Sequence, residues 1–224
     1  MNSIETKFDR PIIFRTVDKT VYDSTITNGS LWLRSSHYYR NIEDQTRADK
    51  SEGINGTKCS FPLNFKPLSA QAISIQGNGT IGTEIIPHYI ISMHGSSILD
   101  SVRNEFGGFT MGVKCLADLS AEILYQVSQQ LPVHSYRFGQ VAYQRTALCM
   151  SYNFSSTAIK LDGKPSVAIK SINTDVLRKD PVEPFIQQDE WRIAIFTNGY
   201  LNDDPNAPLK INVDPNHFYE YIKT

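Results

Sequence analysis

The sequence is short of cysteine, of excess charge of either sign and of long apolar runs, and each shortage excludes a class of protein. Its three cysteines, Cys59, Cys115 and Cys149, are odd in number and widely spaced, which fits neither a CxxC metal site nor a disulfide framework. A reducing cytoplasm is the compartment such usage implies. Lys and Arg number 22 against 23 Asp and Glu, a formal net charge of −1, so no global positive field holds nucleic acid non-specifically. No stretch approaches the ~20 apolar residues of a membrane span, and the opening MNSIETKFDRP carries charges where a signal peptide has an apolar run. A cytoplasmic protein without a membrane partner is therefore expected. Familiar motifs are missing too. The Gly-rich SIQGNGTIGTE (74–84) has neither the strand, GxGxxG and helix order of a dinucleotide fold nor the lysine of a phosphate loop, and it reads as a hairpin or flexible turn. GxSxG is absent, so a triad assembled from Ser92, His94 and some Asp has no support. His37, His94 and His134 stand at no metal-ligand spacing, and no zinc site is expected.

What is present is the material of a packed core. The 224 residues are 40% hydrophobic and 11% aromatic, which fits a single globular domain over 1–224. PIIFRTV (11–17) has strand composition, and in DSTITNGSLWLRSS the Asn28-Gly29 pair reads as a turn before a second short strand at Leu31-Trp32-Leu33. HYYRNIEDQTRADKSEG (37–53) follows neither a 3.6 nor a 2 period and reads as an ordered loop with one helical turn. A strand through Ile90 and Ile91 reaches Ser92 and His94; SILDSVRNEFGG (97–108) reads as a short helix with a Gly-Gly stop; FTMGVK (109–114) is a strand. Leu116, Leu119, Ile123 and Val127 recur at helical spacing, with Pro132 as terminator. FGQVAYQR (138–145) begins a β run expected to continue to Met150, PSVAIK (165–170) is a further strand, and NDDPNAPL and NVDPNH make the C-terminal region turn-rich. Short strands with two or three helices and no regular βαβ alternation predict an α+β fold with a largely antiparallel sheet.

Two local features carry candidate chemistry. Arg10, Arg15, Arg34, Arg40 and Arg47 concentrate guanidinium groups near the N-terminus, where scattered surface charge is the plain reading and an anion site the sharper one. Gln188-Asp189-Glu190 stands directly before the apolar run WRIAIF (191–196). The plain reading is a solvated strand entrance. If the segment is extended, alternate residues share a face, so Gln188 and Glu190 project together. A carboxylate held in a cleft is suited to hydrogen-bond a ribose hydroxyl and to stabilise an oxocarbenium-like transition state, with a neighbouring amide orienting the nucleophile.

The order of these features resembles the ADP-ribosyltransferase superfamily, whose arginine-type members show an Arg on the first core strand, a Ser motif on a second and a Q/E-x-E motif opening a late strand. Arg15 in IIFRT, Ser92 in IISMH and Glu190 in QQDEW take those places in order. The succession GSLWLRSSHYYRNIEDQTRADKSEG, YIISMH, GQVAY and EWRIAIF is also similar, over most of the chain, to a large family of uncharacterised bacterial proteins with a late E-x-E-W-R strand. Asp49 and Glu52 would fall in that family's acidic loop.

The resemblance implies an ADP-ribosyltransferase-like split sheet and NAD as a substrate. Arg15, with Arg34, Arg40 or Arg47, would bind the pyrophosphate through bidentate charge-assisted bonds. Tyr38 or Tyr39 would stack on the nicotinamide or adenine, and Ser92 would fix the nicotinamide ribose. Glu190 would stabilise the oxocarbenium ion and Gln188 would orient the nucleophile. The serine strand reads Ser-Met-His where the superfamily has Ser-Thr-Ser, so Ser35 or Ser36 is the alternative for the serine role. The implied partners are NAD, a macromolecular acceptor (protein or nucleic acid) and a cognate inhibitor, as for a bacterial toxin or phage-defence factor. A non-catalytic binding module on the same fold is the rival reading.

Overall fold

In the computed structural model of the protein, the described residues are 12–42, 54–60, 63–65, 73–75, 78–143, 168–171, 176–179 and 185–221. The chain runs β1 (Ile13–Val17), α1 (Lys19–Asn28), β2 (Ser30–Ser35), α2 (Ser36–Asn41), β3 (Ile54–Ser60), β4 (Leu63–Phe65), β5 (Ile73–Ile75), β6 (Asn78–Ile85) and β7 (His88–His94). It continues α3 (Asp100–Glu105), β8 (Phe109–Val113), α4 (Leu116–Ser128), β9 (Val133–Gln140), β10 (Ala142–Tyr143), β11 (Ala168–Ser171), β12 (Arg178–Lys179), β13 (Glu190–Thr197), β14 (Leu209–Asn212) and β15 (Phe218–Glu220). The fold is α+β with a largely antiparallel main sheet.

Strand β7 is the axis of that sheet. Along one edge it pairs antiparallel with β13 over its whole length, from Glu190 opposite His94 to Phe196 opposite His88. Its other edge is shared. β2 takes the start, placing Arg34 opposite Ile90 and Ser35 opposite Tyr89, while β1 takes only the end, placing Phe14 opposite His94. Among the described residues nothing pairs with Ile91, Ser92 or Met93 on that edge, so the sheet splays between β1 and β2.

Strand β13 reads as a continuous apolar run because it is covered on both faces. Ile193 and Ile195 enter the larger core cluster with Leu119, Ile123 and Val127 of α4; Ala194 and Phe196 enter a second cluster with Ile90 and Val176. Helix α4 follows the predicted spacing, burying Leu116, Leu119, Ile123 and Val127 while Tyr125 faces out. It ends at Ser128, ahead of Pro132.

Several elements depart from the sequence-based expectation. Asn28-Gly29 is no hairpin turn, because Lys19–Asn28 is a helix and Gly29 is its left-handed cap, with φ 63°. TVYDSTIT is rich in β-branched and hydroxyl residues that read as strand or turn, but Asp18 accepts a hydrogen bond from Val21 N and closes the first turn. Among the described residues of 74–84 no hairpin pairing occurs: β5 pairs with β4, while β6 pairs with β3 and β11. The strand expected from residue 138 begins at Val133, and its extension through 144–150 lies outside the described residues. The turn-rich C-terminal region holds two short strands, β14 beside β2 and β15 beside β8. Four α-helices are described, against two or three expected.

Gly29 is held by more than its φ. A Cβ there would lie 1.7 Å from the carbonyl oxygen of Val213, whose amide bonds back to Gly29 O at 3.0 Å. Gly29→Ala is therefore expected to cost about 1–2 kcal/mol from backbone conformation, and more from the forced separation of α1 and the end of β14. A melting temperature within a degree of wild type would contradict this account.

Candidate functional site

The splay is lined by β1, β2 and the unpaired stretch of β7, and it opens into a cavity of about 360 Å³. Arg15, Arg34, Tyr38, Tyr39, Ser92, Gln188 and Glu190 all line it. Among the described lining residues, four cationic side chains (Arg15, Arg34, Lys179 and Arg192) outnumber two carboxylates (Asp18 and Glu190).

Glu190 is the most constrained group. It is 4% exposed and opens β13, with Arg192 two residues on along the same face and Ser92 opposite Arg192 on β7. Its Oε1 accepts from Ser92 Oγ at 2.7 Å and Arg192 Nε at 2.7 Å; its Oε2 accepts from Arg192 Nη2 at 3.2 Å and Lys179 Nζ at 3.0 Å. Four donors fill the roughly four in-plane acceptor positions of a carboxylate. Burial by itself pushes the Glu190 carboxyl up, but Arg192, Lys179 and the hydrogen bonds from Arg192 and Ser92 outweigh it and hold the pKa at about 2. The group stays ionised at neutral pH. It is suited to electrostatic stabilisation and to accepting hydrogen bonds, not to proton transfer.

The cations are anchored in turn. Arg192, 2% exposed, donates from Nη1 to Val176 O at 3.0 Å, and Lys179 sits 4.0 Å above the Phe185 ring. The backbone of Glu190 is tied at both ends, its N–H donating to the Tyr143 hydroxyl at 2.9 Å and its carbonyl accepting from Val141 N at 2.9 Å. Burial pushes the Tyr143 phenol up to about 12, so it remains neutral.

Asp189 serves a different purpose from its neighbour. It adopts φ 43°, its carbonyl accepts from Gly95 N at 2.8 Å, and its carboxylate accepts from Ser97 N at 2.9 Å and Gln140 Nε2 at 3.2 Å. It thereby clamps the turn after β7 to the start of β13. The clamp is close: a Cβ at Gly95 would lie 2.2 Å from Asp189 Oδ2.

The extended geometry expected for Gln188 to Glu190 does not form. Phe185–Gln188 is a 3-10 turn and Asp189 reverses the backbone before the strand begins. Gln188 still lines the cavity, through that reversal and not through strand alternation.

The other expected site residues divide. Tyr38 and Tyr39 are half-buried and meet edge-on, with centroids 5.6 Å apart, and Arg34 lies 4.2 Å over the Tyr38 ring. Ser35 and Ser36 are buried and do not line the cavity: Ser35 caps α2, accepting from Tyr38 N at 3.1 Å and donating to Pro205 O. Arg40 on α2 also lies off the cavity lining. Arg10, Arg47, Asp49 and Glu52 fall outside the described residues. His94 is a core group whose Nδ1 donates to Gly95 O at 2.9 Å, leaving Nε2 to accept from Thr16 Oγ1 at 2.8 Å. Burial lowers its pKa and keeps it neutral. No group of three or more His, Cys, Asp or Glu able to hold a metal occurs among the described residues, and none of the described helices is long and apolar enough to cross a membrane.

The sequence by itself gives no role to Arg192, Lys179, Tyr143 or Trp32. A signal exists for one of them: an arginine inside a run covered on both faces must meet a carboxylate, and the nearest same-face position is two residues back, at Glu190. Lys179 and Tyr143 approach from distant segments and leave no local mark. No family model, no curated protein and no solved structure matches the chain.

Proposed function

We propose that the protein is an NAD-dependent mono-ADP-ribosyltransferase acting on a macromolecule. The observation that carries this reading is the convergence of Arg15, Ser92 and Glu190, from three separate strands, on one cleft at a splay in the sheet, whose described lining holds more cations than carboxylates. A split sheet is what the superfamily resemblance calls for, and the cations suit a diphosphate. Arg15 and Arg34 would position the pyrophosphate, Tyr38 and Tyr39 would offer ring faces and edges to the nicotinamide or adenine, and Ser92 would meet the nicotinamide ribose.

Glu190 would act through its fixed negative charge, stabilising the oxocarbenium ion as the glycosidic bond to nicotinamide breaks. Because its acceptor positions are filled, a ribose hydroxyl reaches it by displacing a donor. Ser92 and Lys179 are the candidates, since the planar Arg192 fork is held from both ends. The same saturation favours the rival reading, a binding module in which Glu190 and Arg192 are a structural ion pair.

Nicotinamide release from NAD by the purified protein, with and without cell lysate, separates the readings. Release that requires lysate is expected; release without it indicates NAD hydrolysis. A melting shift with NAD unaccompanied by release under any condition would establish the binding module, since a ligand of the folded state stabilises it by mass action. Ser92→Ala is expected to lower the release rate about tenfold, on the order of 1.4 kcal/mol for one hydrogen bond. An unchanged rate would remove Ser92 from the chemistry.

A further inference from the structure

The sheet face formed by β2 and β14 is built for two purposes. Its inner side is core, with Leu31, Leu33, Leu209 and Ile211 buried. Its outer side carries Trp32, 47% exposed, at the mouth of the cleft. Lys210 stands directly opposite Trp32 in the antiparallel register, with Nζ 4.0 Å from the ring centroid. Arg34, two residues along, lies 5.8 Å from the Trp32 centroid and 4.2 Å from that of Tyr38. Lys210, Trp32, Arg34 and Tyr38 therefore form a row in which cation and aromatic ring alternate, leading from the open face into the cavity.

A purely structural account covers part of this. Cation–π contacts between cross-strand and i, i+2 neighbours stabilise the strand pair. They leave nearly half of Trp32 in water at the mouth of the cleft, open to a stacking partner. A protein partner of apolar character would be met by apolar neighbours, not by two cations. Rings for stacking interleaved with point charges are the chemistry that recognises an unstacked base together with its phosphates. The adjacent acid Asp204 is turned into its own loop, accepting from Asn206 N at 2.8 Å, while Arg34 Nη1 donates to Asn206 O at 3.4 Å. A chain-wide net charge of −1 argues against an extended non-specific footprint and leaves a small local site.

We propose that Lys210 and Trp32, at the open end of this row, form the acceptor site, with Arg34 and Tyr38 leading from it to the NAD cleft, and that the acceptor is an unpaired base in a short single-stranded stretch of DNA or RNA; this rests on the transferase reading. The bond between C1 of the nicotinamide ribose and the nicotinamide nitrogen breaks, its electron pair leaving with neutral nicotinamide. A lone pair on a base nitrogen or oxygen forms the new bond to C1, and the base gives up one proton to solvent, from the attacking amine or, where a carbonyl oxygen attacks, from the adjoining ring N–H.

The test uses the full chain with short labelled single-stranded DNA and RNA oligonucleotides, and a duplex of the same sequence. Anisotropy is expected to detect binding of single strands more tightly than duplex, with Trp32→Ala weakening it about tenfold or more. Its melting temperature serves as the check on folding. If that variant does not fold, quenching of Trp32 fluorescence on adding oligonucleotide, measured in a Trp191→Phe background, is the equivalent readout. With labelled NAD, ADP-ribose is expected on the oligonucleotide, and the DNA and RNA arms identify the acceptor. Absence of oligonucleotide binding, or binding unchanged in folded Trp32→Ala, overturns the proposal. Lysate-dependent release with label only on protein overturns it while the transferase reading stands. Oligonucleotide binding without nicotinamide release in any condition overturns the transferase reading and the acceptor role with it.

Discussion

Glu190→Gln is expected to lower NAD-dependent activity by about a hundredfold to a thousandfold, the usual cost of removing one preorganised electrostatic group from a reacting centre. The same change is expected to lower stability sharply. The amide side chain would keep the volume and lose the charge, leaving Arg192 and Lys179, 2% and 7% exposed, without the carboxylate that compensates their burial. Breaking a buried ion pair from one side costs about 3–5 kcal/mol. At roughly 2–4 °C per kcal/mol for a domain of this size, a fall of about 10 °C in melting temperature follows. The two effects are separable. Activity is measured well below the lowered midpoint, and a double variant that also carries Lys179→Met removes one of the stranded cations, restoring part of the stability without restoring the chemistry. Full activity in a folded Glu190→Gln protein would refute the assigned role; unchanged stability would refute the ion-pair account.

Arg192→Met is expected to have the second-largest effect, and its signature is in the pH dependence. In the wild type the Glu190 carboxyl is held at about 2 against an ordinary value of 4.5. A depressed carboxyl contributes stability that is fully present above about 4.5 and is lost as pH falls towards 2. At about 1.4 kcal/mol per pH unit this amounts to about 3 kcal/mol. Removing Arg192 takes away the largest influence opposing burial. Glu190 then protonates at higher pH, and the acid limb of stability moves up with it. Neutral, buried His94 adds a loss of stability below its ordinary 6.5 in both proteins, so it cancels in the comparison. Urea midpoints measured from neutral to acid pH are expected to fall earlier for Arg192→Met, with a deficit of about 3–5 kcal/mol at pH 7. Superimposable acid limbs would show that Arg192 does not set the ionisation of Glu190.

The long elements of this fold are legible because their side chains repeat. α4 declares itself at Leu116, Leu119, Ile123 and Val127, and β7 and β13 by apolar runs too dense for a half-exposed strand. α1 is hidden because its residues are poor helix formers and its boundaries rest on two caps, Asp18 and Gly29. The site divides in the same way. Arg15, Ser92 and Glu190 stand out through their order along the chain, and the splay of β1 and β2 places all three on one cavity. The carboxylate's environment is not local in sequence: Lys179 and Tyr143 reach it from other strands, and no motif spans those separations. Ser35 and Ser36 stand as alternatives for the serine role because the serine strand reads Ser-Met-His. Ser35, though, is committed to starting a helix, a role its position immediately before Ser36–Asn41 specifies as well as any binding role.

The contact between Gly95 and Asp189 constrains how this protein is able to change over generations. Any side chain at Gly95 collides with the Asp189 carboxylate, and a shorter residue in place of Asp189 forfeits the side-chain bonds to Ser97 N and Gln140 and leaves only the backbone bond from Gly95 N. The two positions, far apart along the chain, are therefore expected to drift together or not at all. In a library randomising both, survivors should fall into linked pairs, with single changes at Gly95 largely missing, so that this one clamp acts as a ratchet on the lineage's access to new sequences around Glu190.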